Sequence, residues 1–142
     1  MKEVLLEIAH DETGEFISRP NRYLAEIKMK NQIELVHVHD PGRLKELLLP
    51  NAKVYLKKAL NTNRKTKWDL IAVDNDGEKV LLNSAYHRYI AQAYLNNFNI
   101  SKFGKYNYIK PEMKYKDSRL DFYLENDDEK IWIEVKGCTL TR

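Results

Sequence analysis

The feature that most constrains the fold is a pair of short apolar runs near the end of the sequence, at residues 120–124 and 131–135. A polar, acidic stretch separates them, which predicts two neighbouring strands joined by a turn. Asp121 lies in the first run and Glu134 in the second, and Lys136 follows two residues later. Because residues i and i+2 of a strand point to the same face, Glu134 and Lys136 are expected to project together.

Two carboxylates and an ammonium group at one strand edge can hold a divalent metal and place a cation beside a phosphate. The arrangement resembles the site of PD-(D/E)xK nucleases, with Leu120-Asp121 in place of the Pro-Asp pair. On this interpretation Asp121 and Glu134 bind Mg²⁺ or Mn²⁺, Lys136 orients water or stabilises developing charge, and Glu112 assists. The alternative is structural, because most acid-x-Lys triplets are solvated faces or cross-strand ion pairs.

Arg119 is expected to share a strand face with Asp121. It could neutralise that carboxylate and lower its pKa, or it could bind a substrate phosphate. The sequence leaves both interpretations open.

Short strand-like segments separated by turn residues dominate the first half of the chain, which is typical of a small barrel or sandwich. They are predicted at residues 4–9, 15–18, 23–29, 33–38, 54–56, 68–73 and 79–82, the last two being separated by a turn at 74–77. Asp40-Pro41-Gly42 predicts a short helix over 43–49, with Asp40 as N-cap, Pro41 at the first helical position and Pro50 as the stop.

The second half is predicted to begin with a helix over residues 84–96, whose apolar and aromatic side chains recur at spacings of three and four. Further strands are predicted at 106–109, 113–115, 120–124 and 131–135. A helix followed by strands fits the opening of a nuclease-like core.

Residues 53–67 contain six basic side chains and no acidic one. A one-signed stretch with Tyr55 and Trp68 near its edges is typical of a surface that follows phosphates and stacks bases, and the alternative is a solvated loop. The predicted nucleic-acid surface comprises Lys53, Lys57, Lys58, Arg64, Lys65 and Lys67. Four further bases are predicted to extend it: Arg19, Arg22, Arg43 and Arg119.

Two other motifs carry weaker hypotheses. His37 and His39 suggest a metal site, but they lack a clear third ligand. Cys138 is expected to be a small buried residue rather than a nucleophile, because no partner base is evident nearby.

Five ordered blocks resemble the sugar fermentation stimulation protein (SfsA) family over essentially the whole chain. They are residues 19–23, 37–48, 64–70, 118–122 and 134–140. The resemblance implies an α/β (α+β) protein with an N-terminal OB-like barrel at 1–80, a PD-(D/E)xK nuclease-like domain at 81–142, and DNA binding.

Two departures from the family pattern qualify this expectation. Gln92 stands where the family usually carries a Glu in the helix before the nuclease sheet, and an amide is a weaker metal ligand and no base. The sequence also stops at Arg142, whereas the family continues. We therefore expect either a fragment or a shortened protein that borrows cover from a partner chain, for example as a homodimer, with weak cleavage activity.

The composition sets the remaining expectations. A net charge of +3 is too small for total charge to indicate a nucleic-acid partner. The single cysteine fits a reducing compartment, no apolar run is long enough to span a membrane, and early acidic residues argue against a signal peptide. The sequence thus predicts a cytoplasmic protein without a membrane partner.

The leading hypothesis is a DNA-binding protein with a nuclease-like site, acting as a metal-dependent phosphodiesterase. The competing hypothesis is a DNA-binding regulator of sugar-utilisation (maltose) genes that does no chemistry, as the family name implies; Gln92 and the missing C-terminal elements favour it. A third is an RNA-binding module with a relic nuclease fold.

Overall fold

The computed structural model describes residues 4–40 and 42–137, and the chain forms two compact units. The barrel unit comprises residues 8–85, and the helix–sheet unit comprises residues 4–7 and 86–137. The elements in chain order are β1 (Glu12–Asn21), β2 (Leu24–Met29), β3 (Gln32–His37), β4 (Lys53–Lys58), β5 (Trp68–Asn75), β6 (Glu78–Leu81), α1 (Ala85–Asn96), β7 (Tyr108–Tyr115), β8 (Ser118–Glu125) and β9 (Lys130–Ile133).

The barrel unit closes through five strands. β1 pairs antiparallel with both β2 and β4, β2 pairs with β3, and β4 pairs with β5. β3 then meets β5 in parallel at His37 and Asp69, which closes the ring, and β6 extends the sheet beside β5. This strand order is that of the five-stranded OB fold and confirms the predicted barrel.

Buried apolar residues of several strands fill the inside of the barrel, helped by a register shift between β4 and β5 that brings both Leu70 and Val73 into the core. On β4, Val54 and Leu56 are fully buried, and Leu70 and Val73 of β5 and Ile27 of β2 join the same core. The predicted turn after β5 is also confirmed: Asp76 and Gly77 have φ of 52° and 85° and link β5 to β6. Positive φ at both central residues is the backbone that a two-residue hairpin requires.

The predicted helix over 43–49 is wrong. Residues 45–47 form turns, and Leu44 has a left-handed φ of 57°, which a right-handed helix does not accommodate. The amides of Leu47 and Leu48 donate to the Leu44 carbonyl at 3.1 and 2.8 Å. All three leucines are buried in the barrel core, so packing selects this compact turn over a helix. Pro41 lies outside the described residues.

The first predicted strand is also wrong. Residues 4–10 have no strand partner, and Val4 is 70% exposed. Their apolar pattern is that of a strand, but a strand needs a partner for its backbone groups, and β1 is already paired on both sides.

The helix–sheet unit places α1 against one face of an antiparallel sheet with the order β7-β8-β9. Leu95 of α1 and Phe122 and Leu124 of β8 form its core, with Ile131 and Ile133 of β9 packed against it. The segments predicted at 106–109 and 113–115 are one continuous strand, and β9 ends at Ile133, two residues before the predicted end. Within the described residues, no helix is long and apolar enough to cross a membrane.

Candidate metal and nucleic-acid sites

Asp121 is bound to the chain that follows β9. The backbone amide of Val135 donates a 2.7 Å hydrogen bond to Oδ2 of Asp121. The last pair of β8 and β9 is Phe122 with Ile133, so Asp121 and Glu134 are the residues directly beyond this pair on the two chains. The Val135 bond therefore brings Glu134 alongside Asp121 just past the end of β9. We call Asp121 and Glu134 the acidic pair.

Lys136 lies close to the acidic pair. Its Nζ is 3.6 Å from Oε1 of Glu134, and the two side chains are 84% and 45% exposed. An ion pair this exposed contributes little to stability, so both groups remain available to a ligand. The two charges lie together, but not by strand alternation, since β9 has already ended.

Glu112 is the β7 residue opposite Asp121 in register, because Pro111 pairs with Phe122 and Met113 with Leu120, and Arg88 of α1 binds its carboxylate. Glu112 has a left-handed φ of 56° within β7, and its Oε1 accepts a 3.0 Å bond from Arg88. No group of three metal-ligating side chains occurs among the described residues. The structure therefore brings two of the predicted acids alongside each other and engages the third with a helix arginine.

His87 of α1 lies against the segment that carries the acidic pair. A Cβ added to Gly137 would lie 2.1 Å from Cε1 of the His87 ring, so a larger residue there requires the ring to shift. Neither His87 nor Arg88 was predicted as a site residue. For Arg88, the signal that could have found it is its position one turn before Gln92 on the same predicted helix; no such spacing indicates His87.

In the barrel unit, Arg64 of the predicted nucleic-acid surface is already paired. Its guanidinium donates to Asp69 at 2.7 and 3.3 Å and to Thr66 at 2.9 Å, and His39 Nε2 lies 3.1 Å from the same carboxylate. Burial raises the pKa of Asp69, but the hydrogen bonds from Arg64 and His39 outweigh it and leave the pKa lowered. The bond to Asp69 in turn raises the pKa of Arg64.

His37 joins this cluster through its ring. It contacts the His39 ring edge-on, with centroids 4.2 Å apart. Burial lowers the pKa of His37, and the neighbouring His39 and Arg64 lower it further. A neutral His37 beside an Arg64–Asp69 pair is a structural arrangement at the barrel seam, and the metal hypothesis for the two histidines stays without a third ligand in the described chain.

Arg19 clamps the loop that follows β3. Its guanidinium donates to the backbone carbonyls of Gly42, Arg43, Arg22 and Asp40 at distances of 2.5 to 2.9 Å. Burial lowers the pKa of Arg19, while nearby Asp40 opposes that effect. Arg19 therefore organises the loop with all of its terminal nitrogens, and its role in nucleic-acid binding stays a prediction.

A cleft of about 390 Å³ opens beside the Arg19 clamp. Its lining is Arg19, Asn21, Arg22, Gly42, Arg43 and Lys45. We call it the arginine cleft. The side chains of Arg22, Arg43 and Lys45 are exposed there, and the clamp uses only the backbone of the two arginines.

The other predicted bases follow β4 and the loop after it. Lys53 lies 5.4 Å from the ring centroid of Tyr55, and Lys58 is held through its backbone amide by Asp11 at 2.8 Å. Lys65 and Lys67 are exposed, and Lys57 is partly buried. Arg119, on β8 in the other unit, is exposed as well. Cys138 lies outside the described residues.

Comparison with known proteins identifies the family. Residues 17–82 match the model of the SfsA N-terminal OB domain, and residues 85–142 match that of the sugar fermentation stimulation protein RE domain. The chain belongs to the sugar fermentation stimulation protein family. The resemblance found in the sequence is thereby confirmed.

Two curated relatives in this family are close in sequence. The sugar fermentation stimulation protein homolog of Thermosipho melanesiensis is 50% identical over 137 residues, covering 96% of this chain and 57% of the relative. The homolog of Methanosphaera stadtmanae is 48% identical over 132 residues, covering 89% and 54%. The chain spans a little over half the length of these relatives.

A solved member of the family has the same fold. The structure of Pyrococcus furiosus SfsA in complex with Ca²⁺ matches with a TM-score of 0.85 at 22% identity, covering 99% of this chain and 60% of that one. This likeness supports the α/β architecture with an OB barrel.

Proposed function

We propose that this chain binds DNA through its barrel unit and carries, in the helix–sheet unit, a divalent-cation site for phosphodiester cleavage. The observation that carries the proposal is the 2.7 Å bond from the Val135 amide to Asp121, together with the register of β8 and β9. These keep the Glu134–Lys136 segment alongside Asp121. One carboxylate oxygen of Asp121 is engaged by the amide, and its other oxygen and the Glu134 carboxylate remain for a ligand.

The donor set fits a magnesium-type ion. Mg²⁺ is usually bound by one or two carboxylates, with water and substrate phosphate completing its shell, so a two-acid site is sufficient. The bound ion would polarise the phosphate and acidify a water. The solved Pyrococcus furiosus relative is a complex with Ca²⁺, another cation that prefers oxygen ligands.

The residues of the chain supply the rest of the site. Lys136, next to Glu134, offers an ammonium group to the phosphate or to the developing charge. Arg88 fixes the carboxylate of Glu112, which leaves Asp121 and Glu134 as the acids free to bind the ion. His87 fills the space over Gly137 and so restricts the chain directly after Lys136.

In the barrel unit the arginine cleft and the exposed lysines after β4 are the proposed contacts to the DNA backbone. His39 links these two regions. Its ring contacts Asp69, which is the partner of Arg64. It also directly precedes Asp40, the first residue of the loop that Arg19 holds. A groove lined by arginines and lysines is suited to phosphates.

Titration calorimetry with Mn²⁺ tests the metal site. We expect a single site that is lost in Asp121→Asn, a variant that keeps an acceptor for the Val135 amide but removes the charge. Asp127→Asn, in the exposed turn between β8 and β9, is the matched control and should bind as the native chain does. Unchanged binding in Asp121→Asn would show that the metal site does not exist.

Cleavage of supercoiled plasmid tests the chemistry. We expect metal-dependent nicking that is strongly reduced in Lys136→Ala. A competing function, DNA binding without cleavage in a regulator of sugar-utilisation genes, is favoured by the Arg88–Glu112 pair, because that pair gives the third acid a partner other than a metal ion. Plasmid that is retarded by the chain yet stays supercoiled with Mg²⁺ and Mn²⁺ would favour this second function.

A further inference from the structure

Four aromatic rings form a cluster on the sheet of the helix–sheet unit. Tyr123 and Trp132 are cross-strand partners with ring centroids 4.7 Å apart. Tyr108 contacts Tyr123 at 6.1 Å, and Tyr115 contacts Trp132 at 4.9 Å. These separations are those of favourable edge-to-face and tilted pairs. We call Tyr108, Tyr115, Tyr123 and Trp132 the aromatic cluster.

The cluster has a buried centre and an exposed rim. Tyr123 is 7% exposed, whereas Tyr108 and Tyr115 are 44% and 45% exposed. Tyr115 comes from the far end of β7 and reaches Trp132 on β9, so the β7–β8 hairpin bends back over the sheet. The left-handed Glu112 lies in β7 between the Tyr108 and Tyr115 ends.

The aromatic cluster lies next to the acidic pair. Asp121 precedes Tyr123 by two residues on β8, and α1 packs on the opposite face through Phe122 and Leu124. Two residues of a strand advance about 7 Å, and their side chains share a face. Glu134 follows Trp132 by two residues in sequence, directly beyond the end of β9. The strand advance of about 7 Å between Asp121 and Tyr123 is close to the spacing of successive nucleotides in an extended strand.

Positive charges accompany the rings. Lys110 is the register partner of Tyr123 on β7, and the Nζ of Lys116 is 5.5 Å from the ring centroid of Tyr115. Both lysines are exposed. Exposed rings interleaved with cations match the chemistry of nucleic-acid strands, whose bases stack and whose phosphates need positive partners.

We propose that the aromatic cluster stacks the bases of single-stranded DNA beside the acidic pair, so that the helix–sheet unit acts on single-stranded or locally unpaired DNA. This inference rests on the proposed function. The exposed faces of the Tyr108 and Tyr115 rings are available to stack on a base. The buried Tyr123 packs against Trp132 and fixes its position. The bases of an intact duplex are hidden in its stack and cannot use these rings.

Anisotropy of labelled DNA with EDTA present, where the acidic pair holds no ion, tests the inference. Three probes are compared: oligothymidylate, an abasic strand of equal length, and a duplex. We expect Tyr115→Ala to weaken binding of oligothymidylate by about fivefold or more and to leave the other two probes unchanged. Tyr115→Phe should retain native affinity. Tyr89→Ala, which removes an exposed tyrosine of α1, is the matched control.

A second readout needs no change in the cluster. In the Trp68→Phe chain the remaining emission comes from Trp132, and oligothymidylate should quench it whereas the abasic strand should not. Equal binding of oligothymidylate and the abasic strand, or native affinity in Tyr115→Ala, would overturn the inference and leave the proposed function standing. Failure of all three probes to bind would overturn both.

Discussion

Arg64 and Asp69 are joined through both oxygens of the carboxylate, with NH2–Oδ1 and NH1–Oδ2 distances of 2.7 and 3.3 Å. The pair is partly buried, at 29% and 18% side-chain exposure, and lies where β3 meets β5. A two-point pair of this kind is specific to arginine. It makes Arg64 part of the barrel seam.

Removing Arg64 should therefore lower the free energy of unfolding. In Arg64→Ala the Asp69 carboxylate keeps, among the described side chains, only His39 as a partner, and we expect a loss of about 1–2 kcal/mol in a urea titration. Lys65→Ala changes the adjacent, exposed base and should stay within about 0.5 kcal/mol of the native chain. Equal stabilities of the two variants would show that the pair is not structural.

The stability of the barrel unit should depend on pH through Asp69. Because the pKa of Asp69 is lowered from 3.8, the folded chain binds fewer protons in acid than the unfolded chain does. Its contribution is present above about pH 4 and is lost as the pH falls through the lowered value. Asp69→Asn should have lower stability at neutral pH and a flatter profile in this acid range, measured by urea midpoints. A native-like acid profile in Asp69→Asn would rule out this linkage.

Arg19 should be replaceable by neither lysine nor alanine. A lysine cannot reach the four carbonyls that the guanidinium now joins, so Arg19→Lys should cost about 1–3 kcal/mol of unfolding free energy. Arg22→Ala is the control, since only the Arg22 carbonyl takes part in the clamp. We expect it to keep native stability and to bind DNA more weakly. If Arg19→Lys instead weakened DNA binding at native stability and Arg22→Ala lowered stability, Arg19 and not Arg22 would contact the DNA.

The salt dependence of DNA affinity should report the exposed lysines of the loop after β4. Replacing Lys65 and Lys67 by Ala should reduce the slope of log affinity against log salt by about two, because two fewer phosphates are neutralised. Lys30→Ala, on the β2–β3 turn and paired with Glu12, is the control. An unchanged slope in the double variant would move the DNA surface elsewhere.

Gly137 and His87 should be coupled. In Gly137→Ala the new Cβ would overlap the His87 ring, so we expect a loss of about 1–3 kcal/mol in thermal or urea unfolding. His87→Ala removes the ring, and the double variant should lose much less than the two single losses added together. Additive losses would mean that the ring moves aside without cost.

The strands of the barrel unit could be predicted because local signals and burial agree there. Val54 and Leu56 are alternate, fully buried residues of β4, and Asp76-Gly77 has the chemistry of its turn. The wrong predictions fall where contacts with residues distant in sequence determine the local structure. Residues 4–10 have a strand pattern without a partner, and Leu44 takes a left-handed backbone because three leucines are needed in the core.

The same distinction separates the predicted site residues. Asp121, Glu134 and Lys136 could be placed together from their spacing, because the hairpin that carries them is local. Arg19 and Arg64 resemble free DNA-binding bases in the sequence, since their partners are backbone carbonyls of another loop and a carboxylate on the seam. The Arg88–Glu112 pair joins a helix to a strand bend that no local pattern indicates.

The parallel junction of β3 and β5 has a consequence for the motions of the barrel when DNA binds. It joins His37 to Asp69, and β4 with the loops on either side of it lies between these two residues in sequence. Closing such a loop has an entropic cost, as does the longer closure between β1 and β4. A DNA strand that binds the loop after β4 and the loop held by Arg19 would tie both sides of this closure together. Slower amide hydrogen exchange in β3 and β5 would then accompany binding, with no change of structure.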